Sequence, residues 1–226
     1  LGTIIFDSST LISLGNACLF GELVELKKRN PDLKLVIPQG VYDEVITIGN
    51  RVNKFAWNSA RVKRLINTGI IDLVQIKDTK LYENIEKGAN QIFKSKHGYI
   101  EIVQRGEIEC LVLMKELDAD VFGVDEIATR LLIENSDGLT ELVKKRYRIE
   151  ILVDEDKLSA YYELTKNMKV IRSIDLVAKA HKLGIFDKFE HQDILKSVLY
   201  SLKYNGCSAS FDEIEEYVKK QVNNTN

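Results

Sequence analysis

The chain has few of the residues that usually announce a chemistry. Of its 226 residues only 2 are proline, 3 cysteine, 3 histidine and 1 tryptophan. Cys18, Cys110 and Cys207 are scattered, odd in number and without CxxC spacing. That excludes a disulfide framework and a thiolate metal site, and fits reduced thiols in a cytosol. Cys110 lies in the apolar run from Ile108 to Met114 and reads as a small buried hydrophobe, not a nucleophile. His97, His181 and His191 fall in no motif, so no histidine base is assigned. No stretch reaches the ~18 apolar residues of a membrane span. No basic-then-apolar leader opens the sequence either, so a cytoplasmic location is expected. Neither sign of charge dominates: 32 Lys and Arg stand against 34 Asp and Glu, for a net charge of −2. A polyanionic partner would have to be held by local basic patches.

What is present is the composition of a globular domain, 45% hydrophobic and 29% charged. Thr3-Ile4-Ile5-Phe6 is apolar without alternation, as in a parallel strand covered on both faces. Asp7-Ser8-Ser9-Thr10 then supplies helix-capping residues before Leu11-Ile12. Further strands are expected over 33–37 (closed by Pro38), 70–76, 120–124 and 169–171. Helices are expected from Val41, over 54–67, 79–96 and 106–117, and over 176–183. Alternation of this kind implies an α/β/α fold around a parallel sheet of about five strands. Ligands then bind beyond the carboxyl ends of the strands. An insertion over about 136–166 and a tail from 187, read as two helices, exceed the minimal domain. The division expected is one domain over 1–186 with a helical extension, 187–226, packed on the same core.

Four acidic residues stand where this topology would gather them. Asp7 and Asp125 each follow a strand, Glu44 lies in the first turns after strand two, and Glu107 opens a helix. Carboxylates remote in sequence that meet at one cleft suit a hard divalent cation, which takes oxygen ligands. Left without one, they would raise one another's pKa values. Taken singly, each could equally be a helix cap or a complement to a helix dipole.

These residues resemble the motifs of the PIN-domain family. Ile5-Phe6-Asp7-Ser8-Ser9-Thr10-Leu11-Ile12 is similar to its opening motif, and Val36-Ile37-Pro38 with Val41 and Glu44 to its second. Gly106-Glu107-Ile108-Glu109-Cys110 resembles the third, and Val124-Asp125-Glu126 with Arg130 the fourth. Val170-Ile171-Arg172-Ser173 and Ala180 to Gly184 resemble the closing strand and helix, with Arg172 where the family more often has glycine. The resemblance implies a metal-dependent endoribonuclease using Mg²⁺ or Mn²⁺. Asp7, Glu44, Glu107 and Asp125 would be its catalytic and metal-binding residues, with Ser9, Ser173 and Arg130 in support. Glu109 and Glu126 are alternates, because neighbouring acids leave open which one faces the cleft. Glu107 and Glu109 lie about 200° apart on a helix, so only one can face it.

The RNA substrate implied by the resemblance needs cations. Arg51, Lys54, Arg61, Lys63 and Arg64 crowd one stretch free of acids. Lys54, Trp57, Arg61 and Arg64 share a helix face, pairing charge with an aromatic ring as single-strand surfaces do, while Phe55, Val62 and Ile66 share the core face. Lys144-Lys145-Arg146-Tyr147-Arg148 is a second basic cluster, read as a charged surface turn as readily as a binding element. A haloacid-dehalogenase-like phosphatase would need Asp at position 9, which is Ser. A dinucleotide enzyme would need GxGxxG, which is missing. The alternative left standing is a protein of this fold that binds RNA or a protein without cutting. Within the nuclease reading, a toxin held by an antitoxin, a homo-oligomer and a stand-alone processing enzyme all remain open.

Overall fold

The computed structural model describes residues 2–222. Thr3–Phe6 forms β1, with Ile4, Ile5 and Phe6 buried. Asp7 caps α1 (Ser8–Asn16), and α2 (Phe20–Arg29) leads into β2 (Lys34–Pro38). After Pro38, α3 (Gln39–Tyr42) continues as a π-helical turn over Asp43–Ile48 and a 3-10 turn over Gly49–Arg51. Next come α4 (Asn53–Asn67), β3 (Asp72–Val74) and α5 (Thr79–Asn90). The helix expected over 79–96 thus stops at Asn90, and Phe93–Ser95 and Gly98–Tyr99 are strands β4 and β5. α6 (Arg105–Glu116), β6 (Val121–Gly123), α7 (Ile127–Glu134) and α8 (Ser136–Tyr147) follow. The chain ends in β7 (Leu152–Val153), α9 (Glu155–Thr165), β8 (Val170–Ile171), α10 (Ser173–Lys182), α11 (Ile194–Tyr204) and α12 (Phe211–Val222). Residues 223–226 of the expected extension lie outside the described residues.

The central sheet is parallel throughout, in the order β3-β2-β1-β6-β8. It lies between helical layers, the three-layer α/β/α architecture expected. From β1 the chain moves outward through β2 to β3, then crosses back to β6 on the other side. The winding therefore reverses between β1 and β6. In sheets of this kind a crevice opens at that reversal, outside the carboxyl ends of the two strands. Asp7 leaves β1 there, and Asp125 and Glu126 follow β6.

A second, antiparallel sheet in the order β5-β4-β7 went unforeseen. Its pairing of Phe93 with Val153 spans a long stretch of chain, and a partner that distant cannot be read from local propensity. Through β7, and through α9 packed on α5, the expected insertion is sewn to the hairpin. The extension is tied in as well. α11 packs on α10 and α12 on α11, and Leu199, Leu202, Ala209 and Ile214 are fully buried in the same hydrophobic cluster as Ile4 and Ile5. No helix among the described residues is long and apolar enough to cross a membrane.

Candidate active site

The strands flanking the crevice deliver the first groups. Asp7 Oδ2 accepts hydrogen bonds from the Ser9 N–H at 3.0 Å and the Ser9 hydroxyl at 2.6 Å, while its Oδ1 is buried without a partner. Ser9 Oγ in turn accepts from the N–H groups of Asp125, at 3.0 Å, and Glu126, at 3.2 Å. A hydroxyl has one proton to give and two lone pairs to fill, and here all three are used. One side chain thereby fastens the exit of β1 to the exit of β6.

Glu44 and Glu107 come from two helical segments brought together by glycine. A Cβ on Gly40 would lie 2.9 Å from the Gly106 Cα, and one on Gly106 would lie 3.3 Å from Val41 Cγ2 and 3.5 Å from Glu44 Oε2. A side chain on Gly40 would wedge α3 and α6 apart, whereas one on Gly106 would ask only a small shift of Val41. The π-helical turn after α3 aims Glu44 at the crevice, a register such turns often supply at functional sites. Its neighbour Asp43 is tied instead to Gln39 Nε2 at 2.8 Å and Arg105 Nη1 at 3.2 Å. Glu107 Oε2 accepts from the Gln104 N–H at 2.8 Å, and its Oε1 accepts from the Thr129 hydroxyl.

Asp7, Glu44 and Glu107 line a cavity of about 480 Å³, together with Ser8, Ser9, Glu101, Gln104, Glu126, Arg146 and Tyr147. Asp125 does not line it. It is 1% exposed, and its two oxygens accept from the Ser173 N–H at 2.8 Å and the Ser173 hydroxyl at 2.7 Å. Of the adjacent acids after β6, then, Glu126 faces the cavity and Asp125 turns inward to Ser173. On α6 the division is equally clean: Glu107 faces the cavity, while Glu109 accepts from the Gly40 N–H at 2.6 Å and Arg105 Nε at 2.7 Å. Arg130 stays away from the cavity, its nearest carboxylate being Glu134 at 3.9 Å.

Burial and mutual repulsion shift these acids together. Glu107 is pushed up to about 8, chiefly by burial and then by the Asp7 charge. Burial likewise raises Asp7, against the pull of its bonds to Ser9, and the Asp125 charge adds to the rise. Glu44 is raised by burial and by the Asp7 charge. Among the described residues no three of His, Cys, Asp or Glu come close enough together to hold an ion. The donor chemistry nonetheless fits a hard cation. The cavity offers carboxylate oxygens, and Asp7 Oδ1 is a buried acceptor left unpaired, at a cost of at least ~1–3 kcal/mol that a cation would relieve.

The basic face expected on α4 divides in two. Lys54, Trp57 and Arg64 are exposed, Trp57 by 72%. Arg61 is committed to the fold: its Nη1 donates to the Gly15 carbonyl at 2.8 Å, and the guanidinium lies 4.8 Å from the Phe20 ring centre. The helix buries Asn58, Ser59, Val62 and Leu65, while Phe55, expected in the core, is exposed at its first turn. The polar Ser59 is tolerated inside because its hydroxyl donates to the Val45 carbonyl at 2.6 Å. None of the four face residues lines the acidic cavity. The cation that does is Arg146, from the second basic cluster, with Tyr147 beside it. Sequence reasoning noted that cluster without a reason to join it to Asp7, and Glu101 and Gln104 carried no signal at all.

The fold is thus a parallel α/β/α sheet with carboxylates around the crevice where its winding reverses. A family model described as a PIN domain matches residues 3–140, running from β1 into α8. The chain belongs to the PIN-domain family, whose members are generally nucleases. Comparison with curated proteins and with solved structures gave no match.

Proposed function

We propose that this protein is a divalent-metal-dependent endoribonuclease, hydrolysing RNA phosphodiesters in the acidic cavity with Mg²⁺ or Mn²⁺. The observation that carries the reading is Asp7: a cavity-lining carboxylate with one buried oxygen fixed by Ser9 and the other unpaired. Asp7, Glu44, Glu107 and Glu126 are the groups that would hold the cation, with Asp125 and Ser173 supporting them from behind. When bound, the ion supplies a water of lowered pKa and positive charge against the reacting phosphate. Ser9 keeps Asp7 in one rotamer and holds the Glu126 backbone, so two ligands from different strands share one reference point. Glu107 must give up its proton before it can serve as an anionic ligand. The Thr129 hydroxyl and Gln104 N–H then hold its charged form in place. In the hydrolysis the water oxygen forms a new P–O bond, one ester P–O bond breaks, and the departing oxygen takes up a proton.

The separation of the carboxylates favours a second reading, an RNA- or protein-binding member of the family that does not cut. One experiment divides the two: purified protein incubated with single-stranded and structured RNAs in Mn²⁺, Mg²⁺ and EDTA, beside Asp7→Asn. The nuclease reading expects cleavage in the metals and none in EDTA. It also expects a loss of about a hundredfold or more in Asp7→Asn, since an amide cannot replace a charged ligand. Cleavage that survives EDTA, or an Asp7→Asn enzyme as fast as the unaltered one, defeats it.

A further inference from the structure

We infer that Arg146 and Tyr147, at the C-terminal end of α8, form a substrate-binding lip on the acidic cavity. The guanidinium takes a phosphate of a single-stranded RNA, and the ring stacks on an adjacent base. The inference rests on the nuclease reading and adds residues beyond the family-matched stretch, which ends at 140.

The charge balance of the cavity is the starting point. Its described lining includes Asp7, Glu44, Glu101, Glu107 and Glu126, against a single cationic side chain, Arg146. The net charge of the whole chain, −2, offers a polyanion no long-range attraction. A phosphate entering this cavity therefore needs a cation at its edge, and Arg146 is placed there. Its planar fork can meet two phosphate oxygens at once, which a lysine ammonium cannot. Lys144, Lys145 and Arg148 are exposed around it on the same helix end.

Stability does not account for Arg146. Its side chain is 56% exposed, and its nearest carboxylate oxygen, Glu126 Oε1, is 3.8 Å away. An exposed pair at that separation adds little to the stability of a fold. Compare Arg61 and Arg172, whose guanidiniums are spent on a backbone carbonyl and on two partly buried ion pairs. Among the described residues Arg146 makes no hydrogen bond, and any cation bound by Glu126 would loosen the one carboxylate contact it has there. Tyr147 is also 41% exposed, an aromatic face left at the rim of a polar cavity. A base has a π-face for such a ring whatever its sequence, and a single strand can present it where a duplex cannot. Helix α8 stops just beyond, where Arg148 takes a left-handed backbone conformation with φ 52°, so the two side chains stand at the helix end.

The test uses the full chain and a fluorescein-labelled single-stranded oligouridylate, with its duplex on oligoadenylate as comparison. Affinity is read by anisotropy in Ca²⁺ across a salt series, and KM and kcat are read separately in Mn²⁺. Arg146→Ala is expected to weaken single-strand binding about tenfold, the scale of one charge-assisted hydrogen-bonded contact. It should also flatten the salt slope by about 0.7 and raise KM more than it lowers kcat. Arg146→Lys should restore the slope but only part of the affinity. Tyr147→Ala should weaken single-strand binding about tenfold and narrow the preference over duplex, with Tyr147→Phe retaining both. Melting temperatures close to that of the unaltered protein are expected, because both side chains are solvent-facing. Unchanged affinity and slope in Arg146→Ala, while the unaltered protein binds and cleaves, overturns the lip alone. So does an Arg146→Ala variant altered only in Mn²⁺ affinity, which would make the arginine a counter-ion of Glu126. An unaltered protein that neither binds nor cleaves the strand overturns the nuclease reading, and the lip with it.

Discussion

At the scale of single residues, the decisive feature is how adjacent acids are divided between solvent cavity and protein interior. Asp125 and Glu126 are neighbours, yet one spends both oxygens on Ser173 and the other faces the cavity. The sequence offered no means of choosing, because both follow the same strand and either could be the ligand. The structure suggests that their substitutions behave oppositely. Asp125→Asn should lower the melting temperature in EDTA, because the charge that accepts from both Ser173 groups is lost and the Ser173 hydroxyl must turn to accept from the new amide N–H. Disturbing a buried charge-accepting bond of this kind costs about 1–3 kcal/mol. Glu126→Gln should leave that melting temperature nearly unchanged but shrink the stabilisation gained on adding Mn²⁺. If the unaltered protein binds Mn²⁺ as proposed, that gain should be about 2.7 kcal/mol at ~100 times the dissociation constant. Thermal melts of both variants with and without Mn²⁺ decide the matter. An Asp125→Asn protein more stable than its parent in EDTA would return Asp125 to the metal site.

Elements position the acids with more precision than any residue does. Helices α3 and α6 touch through Gly40 and Gly106, and this approach fixes the distance between Glu44 and Glu107. Gly40→Ala would put a methyl group 2.9 Å from the Gly106 backbone, which has no flexible end to move aside. The two helices must separate, and overpacking of this kind costs about 1–3 kcal/mol. Cleavage and Mn²⁺ affinity should fall further than stability does, since the two acids are carried apart. A Gly40→Ala protein with unaltered melting and full activity would show that the two helices tolerate a methyl group between them. Gly106 was legible as part of a motif, while Gly40 was not singled out. The reason they matter, one backbone lying on another, was not legible, because it joins segments more than sixty residues apart. The same limit explains the hairpin of β4 and β5, read as the end of a helix. Its strands are short, and β4 is completed by β7, from far along the chain.

The whole molecule behaves as a store of proton-binding strain around the cavity. Glu107 has an ordinary pKa of 4.5 when unfolded and about 8 when folded, and Asp7 and Glu44 are raised in the same direction. Between pH 4.5 and 8 the folded state therefore holds more protons than the unfolded one. Stability contributed by protonated Glu107 is fully present below 4.5 and is lost as pH rises through 8. Metal-free protein should thus weaken across that window, by no more than about 1.4 kcal/mol per pH unit from this one group. Glu107→Gln should flatten the trend. The proposed metal affinity should run the other way, rising with pH as the cation displaces the proton. Urea titrations in EDTA across the window test this, and stability that climbs with pH there would contradict it. The extension takes part in the same unit. Ser208 Oγ donates to the Asp125 carbonyl at 2.6 Å, and Glu213 meets Arg172 at 2.7 Å. Arg172, the departure from the family pattern, therefore has a structural partner in α12.

The sequence alone determined the layers and the five parallel strands, and it showed acids at positions such a sheet turns toward one edge. Those follow from local quantities: runs of buried apolar residues, capping residues after them, and a strong rule about which end of a parallel sheet binds ligands. Tertiary structure alone decided which acid of each adjacent pair faces the cavity, which arginine is spent on the fold, and which basic cluster meets the acids. Arg61 and Arg146 look equally free in the sequence. One lies against Phe20 and a helix end from 46 residues earlier, and the other stands open beside Glu126. Side-chain direction depends on partners brought in from distant parts of the chain, and only closure of the core brings them there.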